Sequence, residues 1–386
     1  MKKIRLGDAC EILNGFAFKS ENYVDSGIRV IRIANVQKGF IEDSMPVFYP
    51  LSSSGLDKYM LEEGDLLISL TGNVGRVAIL QKELLPAALN QRLACLRLKT
   101  DKLNKGYLFH VLNSDFFEQQ CIQSSKGVAQ KNMSTEWLKE YEIPLYPIEK
   151  QKEITDILDS ICRVMACRKR ELQKLDELIK SRFVEMFGTL DSPTQEFRKA
   201  TLKELCNKIT DGKHGGCKSE AGTERYFVGA REIYDDEVHY DTAAEINTEE
   251  FEKDYKRCNL EIGDFLIVNT GATIGKSAIA SDERTEHTLL QKSVALLKVK
   301  QEVLNPIFLK WCYRVNKQMY MVESASAQPN LLLSKINATV IYVPNIELQN
   351  QFADFVKQVD KSRVAVQKAL DETQLLFDSL MQKYFG

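Results

Sequence analysis

The chain contains the same long amphipathic helix twice, at positions 198 residues apart. Residues 151–188 place apolar side chains at the three- and four-residue spacing of one helix face, without proline and with glycine only at the end. Residues 349–386 repeat this pattern, and both stretches end in Phe-Gly. At about 1.5 Å per residue, each helix would be roughly 57 Å long, which exceeds the width of a small domain. A helix of this length needs an apolar partner, so the sequence predicts that the two helices pair.

The offset also holds in the parts of the chain that precede the helices. Gly263 and Asp264 correspond to Gly64 and Asp65 within one residue of the same offset. The chain is therefore interpreted as a tandem duplication, in which each copy is a globular part followed by a long helix. The predicted domains are a first globular domain at 1–149, a central helix at 150–188, a second globular domain at 189–347 and a C-terminal helix at 348–386.

Each globular part mixes strand and helix signals. Residues 28–36 and 65–70 are apolar runs rich in residues that favour strands, whereas residues 104–120 have helical spacing. With 44% hydrophobic residues, the chain can build more than one core. We predict an α+β fold of two similar globular domains in tandem.

Composition restricts the compartment and the partners. No apolar run reaches the ~18 residues of a membrane span, and Asp8 and Glu11 interrupt the start where a signal peptide would be uncharged. The nine cysteines include no C-x-x-C pair, which is typical of a reducing compartment. We expect a cytoplasmic protein without disulfides. The net charge of -2 does not select a polyanion, so DNA binding would require basic side chains sorted onto one face.

Residues 271–277, GATIGKS, resemble a phosphate-binding P-loop after an apolar strand. Only three residues separate the two glycines, whereas the P-loop has four, and the first copy, TGNVGRV at 71–77, lacks the Lys and the Ser. The four histidines show no metal-ligand spacing. No Asn-Pro-Pro-aromatic methyltransferase motif occurs, because no two prolines are adjacent. The sequence predicts a chain that is not an enzyme and holds no metal.

Two interpretations stay open for the glycine-rich segments. They are either plain turns between strands, or places where glycine lets the backbone approach a DNA strand. In the second case Asn73, Arg76, Thr273 and Lys276 would contact the DNA.

Polar loops at 127–132 and 324–330 carry Gln and Asn, which can pair bidentately with adenine in the major groove. The alternative is that these amides only satisfy the backbone of a turn. Basic and amide residues beside the apolar strands have the same two interpretations, since many surface cations are simply solvated or ion-paired. The candidate DNA-binding residues are Lys19, Arg32, Asn35, Asn73, Arg76, Gln91, Arg92, Lys126, Gln130, Lys131, Asn132, Lys213, His214, Arg231, Thr273, Lys276, Gln291, Lys292, Gln328 and Asn330.

Several short motifs recur in both copies in the same order. They are LGDACEILNGFAF at 6–18, Gly64-Asp65 with the following strand, Gly72 and Gly75, Gly127 with Gln130, PIEKQ at 147–151, and ITDGKH at 209–214 in the second copy. In this order the chain resembles the specificity subunit of type I restriction-modification systems. It departs from that pattern at Ala325, where a Gly is expected, and at Asn345, where the first copy has Pro147.

The resemblance implies a non-catalytic DNA-binding subunit. Each globular domain would be a target recognition domain that reads one half of a bipartite, asymmetric sequence in double-stranded DNA. The helices would pack as an antiparallel coiled coil, set the gap between the halves and dock two modification subunits. The resemblance places S-adenosylmethionine, ATP and Mg on the modification and restriction subunits, and it implies no cofactor on this chain.

The apolar positions of the two helices predict their interface. It would contain Ile154, Ile157, Ile161, Leu172, Leu175, Leu178, Phe352, Phe355, Val359, Leu370, Leu376 and Phe377. The alternative function is a coiled-coil scaffold that binds proteins and has no DNA specificity. Such a scaffold would show no salt-dependent retention on DNA.

Overall fold

The structure, a computed structural model, describes residues 2–125, 132–321 and 330–386. The chain forms two compact units, of which the first comprises Met1–Lys169 with Lys368–Gly386 and the second comprises Arg170–Gln367. Each unit therefore contains one globular domain together with a part of each long helix.

The first globular domain begins and ends with short strands that pair with each other. Its elements are β1 (Lys3–Arg5), α1 (Leu6–Ala9), β2 (Cys10–Asn14), β3 (Ile28–Ile31), β4 (Phe48–Tyr49), β5 (Leu66–Ser69), β6 (Val77–Ile79), β7 (Ala87–Leu89), β8 (Leu93–Leu98), α2 (Lys105–Leu112), α3 (Asp115–Ser124), α4 (Thr135–Glu140) and β9 (Glu142–Pro144). The first long helix, α5 (Ile148–Phe187), follows.

The second domain repeats this strand order, adds a pair of two-residue strands and a helix, and has no α-helix at the place of α3 among its described residues. Its elements are β10 (Arg198–Thr201), α6 (Leu202–Leu205), β11 (Cys206–Asp211), β12 (Tyr226–Val228), β13 (Ile233–Tyr234), β14 (Glu237–Val238), β15 (Ala244–Glu245), α7 (Thr248–Tyr255), β16 (Phe265–Val268), β17 (Ser277–Ile279), β18 (Thr288–Leu290), β19 (Val294–Val299), α8 (Pro306–Val315), α9 (Leu333–Ala338) and β20 (Val340–Val343). The second long helix is α10 (Ile346–Phe385).

Both domains have the same sheet topology, which confirms the predicted duplication. A four-stranded antiparallel sheet has the order β2-β8-β5-β6 in the first domain and β11-β19-β16-β17 in the second. A three-stranded sheet has the order β4-β3-β7 or β15-β12-β18, and its last two strands are parallel. The fold is α+β, as predicted, with mixed sheets and helices in each domain.

The sequence located most strands but misplaced one helix. Residues 104–120 form two helices rather than one, because Ser114 accepts a hydrogen bond from the amide of Phe117 and so starts α3 as a new helix. In the second domain, residues 271–277 join the antiparallel strands β16 and β17. A P-loop instead joins a strand to a helix. The nucleotide-binding interpretation of this segment is therefore excluded.

One buried glutamine fixes each globular domain to its long helix. Gln151 is 0% exposed, and its side-chain oxygen accepts from the amide of Asn104 at 2.8 Å. Its amide nitrogen donates to the carbonyls of Lys102 at 2.9 Å and Tyr146 at 2.8 Å. Because all three partners are backbone groups, this attachment does not depend on the side chains of the domain.

Gln349 makes the same attachment in the second unit. It is also 0% exposed, accepts from the amide of Asn305 at 2.9 Å and donates to the carbonyls of Val303 and Pro344 at 3.0 and 2.8 Å. The position of this glutamine follows the offset of 198 residues between the two copies.

The apolar faces of the long helices are buried mainly as predicted. In the second unit, Phe183 contacts Phe352 with ring centroids 5.3 Å apart, and Asp176 pairs with Arg363, so the two helices run antiparallel there. In the first unit, Met381 and Phe385 of α10 pack with α5 residues in the core.

The interface prediction is wrong for one pair of corresponding residues. Leu178 and Leu376 are 48% and 52% exposed, so they lie outside the buried face. No helix in the described part of the chain combines the length and the apolarity that crossing a membrane requires.

A buried histidine gives the first unit a second attachment between its domain and α5. His110 on α2 is 2% exposed, and its Nε2 lies 2.8 Å from a carboxylate oxygen of Asp159. Burial lowers the pKa of His110 below its ordinary value, and the contact with Asp159 only partly opposes this. The unfolded chain therefore binds more protons near this residue than the folded chain does.

We expect the first unit to lose stability as the pH falls below about 6.5, the ordinary pKa of histidine. A group with a lowered folded pKa contributes its full stability above the unfolded pKa, and this is lost as the pH falls toward the folded value, by at most about 1.4 kcal/mol per pH unit. The measurement is urea unfolding between pH 7.5 and 5.5 in a Trp311→Phe background, followed by the fluorescence of Trp137. His110→Gln should lose less stability than the unmodified chain over this range, whereas the exposed His287→Gln should not differ from it. Equal pH slopes for all three proteins would contradict the assignment.

Candidate nucleic-acid interface

The strand register brings three loops of the first domain to one end of its four-stranded sheet. Asn14, the last residue of β2, pairs with Ala94 near the start of β8. Ser69, the last residue of β5, pairs with Leu93 of β8, and Val77 at the start of β6 pairs with Ile68. The loop after β2, the loop before β8 and the loop between β5 and β6 therefore meet. We call this end of the sheet the loop end.

Backbone contacts hold the three loops of the first domain together. The amide of Gln91 donates to the carbonyl of Phe16 at 2.9 Å, and the amide of Leu70 donates to the carbonyl of Arg92 at 3.0 Å. Thr71 forms an isolated β-bridge with Asn132, so the segment that begins at Asn132 also lies at the loop end. The sequence therefore positions Gln91, Arg92 and Asn132 through their backbones and leaves their side chains exposed.

A glycine in each domain permits this close approach. A Cβ at Gly15 would lie 2.2 Å from the carbonyl oxygen of Asn90, and a Cβ at Gly212 would lie 2.1 Å from that of Leu290. No real Cβ makes contacts this short, so only glycine fits. The two glycines occupy corresponding positions after β2 and β11, which gives both loop ends the same backbone design.

The loop end of the second domain repeats these contacts. The amide of Lys292 donates to the carbonyl of Lys213 at 2.9 Å, and the amide of Asn269 donates to that of Ser293 at 3.0 Å. Thr270 forms a bridge with Asn330, as Thr71 does with Asn132. A shallow cleft opens here, lined by Lys213, Gly215, Thr270, Gln291, Lys292, Ser293 and Asn330.

Four predicted basic residues are free to meet an anion. Arg92, Arg231, Lys276 and Lys292 have exposed side chains, and none forms an ion pair with another described residue. Arg92 and Lys292 occupy corresponding places just before β8 and β19. Asn73 is exposed in the loop between β5 and β6, and Thr273 is half-buried in the matching loop of the second domain.

Other predicted residues are engaged within the domains. Lys213 donates to carboxylate oxygens of Glu250 and Asp254 at 3.0 and 2.8 Å, and these bonds raise its pKa. Two carboxylates already balance its charge, so Lys213 is a poor candidate for a phosphate contact. Its role is to hold α7 against the loop after β11.

His214 belongs to a second ionic cluster beside Lys213. Its Nε2 lies 3.2 Å from Asp211, which also pairs with Arg257. Burial alone would raise the pKa of Asp211, but the hydrogen bonds from Arg257 and His214 outweigh it and hold this pKa below its usual range. The His214 ring is still 56% exposed, so it remains accessible at the loop end.

Asn35 was predicted as a DNA contact, and its position does not support this. Asn35 is 5% exposed, and its side chain accepts from the amide of Arg32 at 2.9 Å and donates to the carbonyl of Glu42 at 2.8 Å. Arg32 donates to the carbonyl of Met45 at 3.0 Å. Both residues hold the loop after β3. An amide in a polar stretch looks the same in sequence whether it closes a turn or faces a ligand.

Arg76 and Lys19, two predicted DNA contacts of the first domain, differ in how strongly other side chains hold them. Arg76 donates to the side chain of Gln37, which joins the glycine-rich loop to the loop after β3. Lys19 lies 3.9 Å from Glu21, with both side chains 73% exposed, so this pair leaves it available. The predicted contacts Lys126, Gln130, Lys131 and Gln328 lie outside the described residues.

Thr71, Thr270 and Ser293 were missed by the sequence reasoning. The two threonines bridge to Asn132 and Asn330, and Ser293 lines the cleft of the second domain. The sequence pattern could have identified the two threonines, because Thr71 and Thr270 both follow an apolar strand and directly precede the first glycine of the loop. The described residues bring together no group of three or more His, Cys, Asp or Glu side chains that could hold a metal ion.

Comparison with known proteins gives consistent matches over the whole chain. The family model of the type I restriction modification DNA specificity domain matches twice, over residues 1–177 and 194–373. The specificity subunit of type I restriction enzyme EcoBI from Escherichia coli is 24% identical over 420 aligned positions, which cover 99% of this chain and 85% of that protein. That of enzyme MjaVIII from Methanocaldococcus jannaschii is 28% identical over 184 positions, 46% of this chain and 43% of that protein.

Two solved structures share the fold. The S subunit of a type I restriction-modification system from M. genitalium has a TM-score of 0.57 and 16% identity, with 100% of this chain and 96% of that chain covered. A chain from a structure of type I restriction-modification complex assembly and conformational transition has a TM-score of 0.58 and 16% identity, with 100% and 97% covered.

Proposed function

This chain belongs to the type I restriction modification DNA specificity family, and from that membership we propose that it reads a bipartite, asymmetric sequence in double-stranded DNA. Each globular domain reads one half of the sequence with its loop end. The observation that carries this proposal is the pair of loop ends, which share one backbone design but differ in the loop after the first strand of the sheet, where Phe16 and Ala17 of the first domain stand in the places of Lys213 and His214 of the second. A common scaffold with different exposed residues suits two readers of different sequences.

The exposed residues of each loop end have the chemistry that DNA binding needs. Arg92 and Lys292 can contact phosphates, and an exposed arginine can also pair bidentately with guanine. Gln91 and Asn132 in the first domain, and Asn330 in the second, offer amides that can read base edges. The overall charge of -2 is no obstacle, because basic side chains such as Arg92 and Lys292 are exposed at the loop ends, where the DNA would lie.

The long helices have two roles in this proposal. They keep the two reading domains at a fixed separation, which sets the number of unread base pairs, and they dock two modification subunits. Exposed apolar side chains on both helices are available for contact with a docked subunit. These residues are Val164, Leu178, Val184, Val364, Leu375 and Leu376.

The catalytic work belongs to the partners. The modification subunits bind S-adenosylmethionine and methylate the DNA, whereas the restriction subunits use ATP and Mg for translocation and cleavage. This chain supplies sequence recognition and binds no cofactor itself. An adenine that is methylated in duplex DNA must leave the base stack. The reading domains therefore have to hold the duplex in place while a partner acts on it.

We expect Lys292→Gln to weaken DNA binding to all sequences about equally and to reduce the slope of log K against log salt by about 1. Lys300→Gln is the matched control, because Lys300 follows β19 at the opposite end of the strand that Lys292 precedes. Filter binding of the complex assembled with the modification subunits, at several salt concentrations, gives both slopes. Equal slopes for the two variants would remove Lys292 from the phosphate contacts.

The decisive test of the proposed function is methylation-sensitive sequencing of DNA modified by the assembled complex. We expect one bipartite motif with a constant gap. Methylation without a consensus sequence, or no salt-dependent retention on DNA, would favour the protein scaffold without DNA specificity.

A further inference from the structure

An ionic cluster joins four elements of the second unit. Asp176 on α5 pairs with Arg363 on α10, and Arg314 on α8 lies 3.4 Å from the same carboxylate. The other side of the Arg314 guanidinium contacts Asp236 at the tip of the β13-β14 hairpin at 2.5 Å. Lys310 of α8 lies 3.5 Å from Asp236. Arg314 therefore bridges two carboxylates, one on a long helix and one on the reading domain.

The side chains of the ionic cluster are held in defined positions. The side chains of Arg314, Asp236 and Lys310 are 29%, 20% and 20% exposed, so solvent screens their charges less than at an open surface. The Arg314 guanidinium also lies 4.4 Å from the ring centroid of Trp311, which is buried. A planar guanidinium that is stacked on a ring and shared between two carboxylates has a defined orientation.

The hairpin connects the ionic cluster to the loop end of the second domain through the residues just before β13. Glu232, just before β13, accepts a hydrogen bond from the amide of Gly229 at 2.8 Å. The amide of Ala230 donates to the hydroxyl of Ser293 at 3.2 Å. Gly229 lies so close to the side chain of Gln291 that a Cβ there would be 2.4 Å from its oxygen. The base of the hairpin thus rests on Gln291 and Ser293, which line the cleft of the loop end.

The first unit has no counterpart of this cluster among its described residues. The positions that correspond to Lys310, Arg314, Asp360, Arg363 and Asp176 are Phe109, Asn113, Cys162, Met165 and Gln374. These residues line an open cleft of about 640 Å³. In the second unit the β13-β14 hairpin supplies Asp236 to this location, whereas in the first unit the turn between Val36 and Ile41 brings Lys38 there, paired with Asp115 and Glu118 of α3 and not with a long helix.

We propose that Asp176, Arg314 and Asp236 are positioning residues that fix the second reading domain on the long helices, and so define the gap between the two half-sites to a single base pair. This inference rests on the proposed function. The residues act through the hairpin and through Gln291 and Ser293, and they do not contact DNA. The first reading domain uses the contact between His110 and Asp159 instead, so substitutions in the ionic cluster affect the second half-site alone.

The test measures gap preference with the full chain assembled with its modification subunits. DNA duplexes carry both half-sites, as found by methylation sequencing, at the natural gap and with one base pair added or removed. We expect Arg314→Met to reduce the preference for the natural gap by about tenfold, while discrimination against a mismatched first half-site stays unchanged. Asp236→Asn keeps the volume and removes the charge, and it should give the same result, so a folding failure of one variant leaves the other to decide.

Two controls separate positioning from stability. Phe308→Leu lowers the stability of the same core without touching the cluster, and Asn113→Ala changes the corresponding position of the first unit. Both should keep the gap preference of the unmodified chain. An unchanged gap preference in Asp236→Asn and Arg314→Met, or an equal loss in Phe308→Leu, would overturn the inference. If the unmodified chain itself shows no sequence or gap preference, the proposed function fails first, and the inference fails with it.

Discussion

Gln151→Ala is expected to lower the free energy of unfolding of the first unit by about 2–4 kcal/mol, because it removes a buried side chain together with its three hydrogen bonds to backbone groups, at about 1 kcal/mol each. These are the amide of Asn104 and the carbonyls of Lys102 and Tyr146. The same substitution at Gln349 should have the same effect on the second unit. The loss of the glutamine also leaves a cavity at the point where the domain meets its helix.

Each unit contains one of the two tryptophans, so the experiment can follow the units separately. Trp137 lies in the first unit and Trp311 in the second. Urea unfolding is measured by fluorescence in two backgrounds, Trp137→Phe and Trp311→Phe. Gln151→Ala should shift the transition reported by Trp137, and Gln349→Ala the one reported by Trp311.

Gln173→Ala on the exposed face of α5 lies in the second unit and is the control for Gln349→Ala, and it should change stability by less than about 0.5 kcal/mol. A loss below about 1 kcal/mol for Gln151→Ala would mean that other contacts hold the domain on the helix.

Exchange of residues 1–149 for the first domain of another family member should replace one half of the methylated sequence and leave the other half unchanged. The expected change in specificity is large, because specific sites are typically bound about 10³–10⁷ times more tightly than non-specific ones. The exchange ends in the first turn of α5 (Ile148–Phe187), two residues before Gln151. Gln151 contacts only the backbone of the domain, so it can hold a domain with different side chains.

The contact between His110 and Asp159 defines the choice of donor domain. A donor with an apolar residue at the position of His110 would leave Asp159 without this partner, although Asp159 is 47% exposed and can be solvated. Methylation sequencing of the chimaeric complex gives the result, and the reciprocal exchange of residues 189–347 is the control. A change in both halves of the sequence would refute independent reading by the two domains.

The duplication, the helices and the strand core could be predicted because they depend on local patterns. The helix repeat is visible in the spacing of apolar residues, and β5, β6 and β16 coincide with apolar runs. Residues 104–120 were misjudged because a single Ser at position 114 starts a new helix within a continuous apolar pattern. The hairpin at 233–238 was missed because its strands have only two residues each.

Some residues of the candidate site could be predicted, because their place directly before a buried strand is enough to make them exposed. Gln91, Arg92 and Lys292 lie directly before buried strands, and a loop in this place faces solvent in both domains. Asn35 and Lys213 have the right chemistry, but the fold uses them internally. Leu178 and Leu376 follow the apolar periodicity and still lie outside the buried face, because the partner helix covers a narrower strip than the apolar pattern.

The sequence by itself determined that this chain is two copies of one design, since periodic burial and the 198-residue offset are properties of residues near each other in the chain. Only the tertiary structure decided which charged and polar residues are available. Lys213 is neutralised by Glu250 and Asp254, and Arg314 by Asp176 and Asp236. These partners are distant in sequence, and the energy of an ion pair depends on distance and burial, which exist only after the chain has folded.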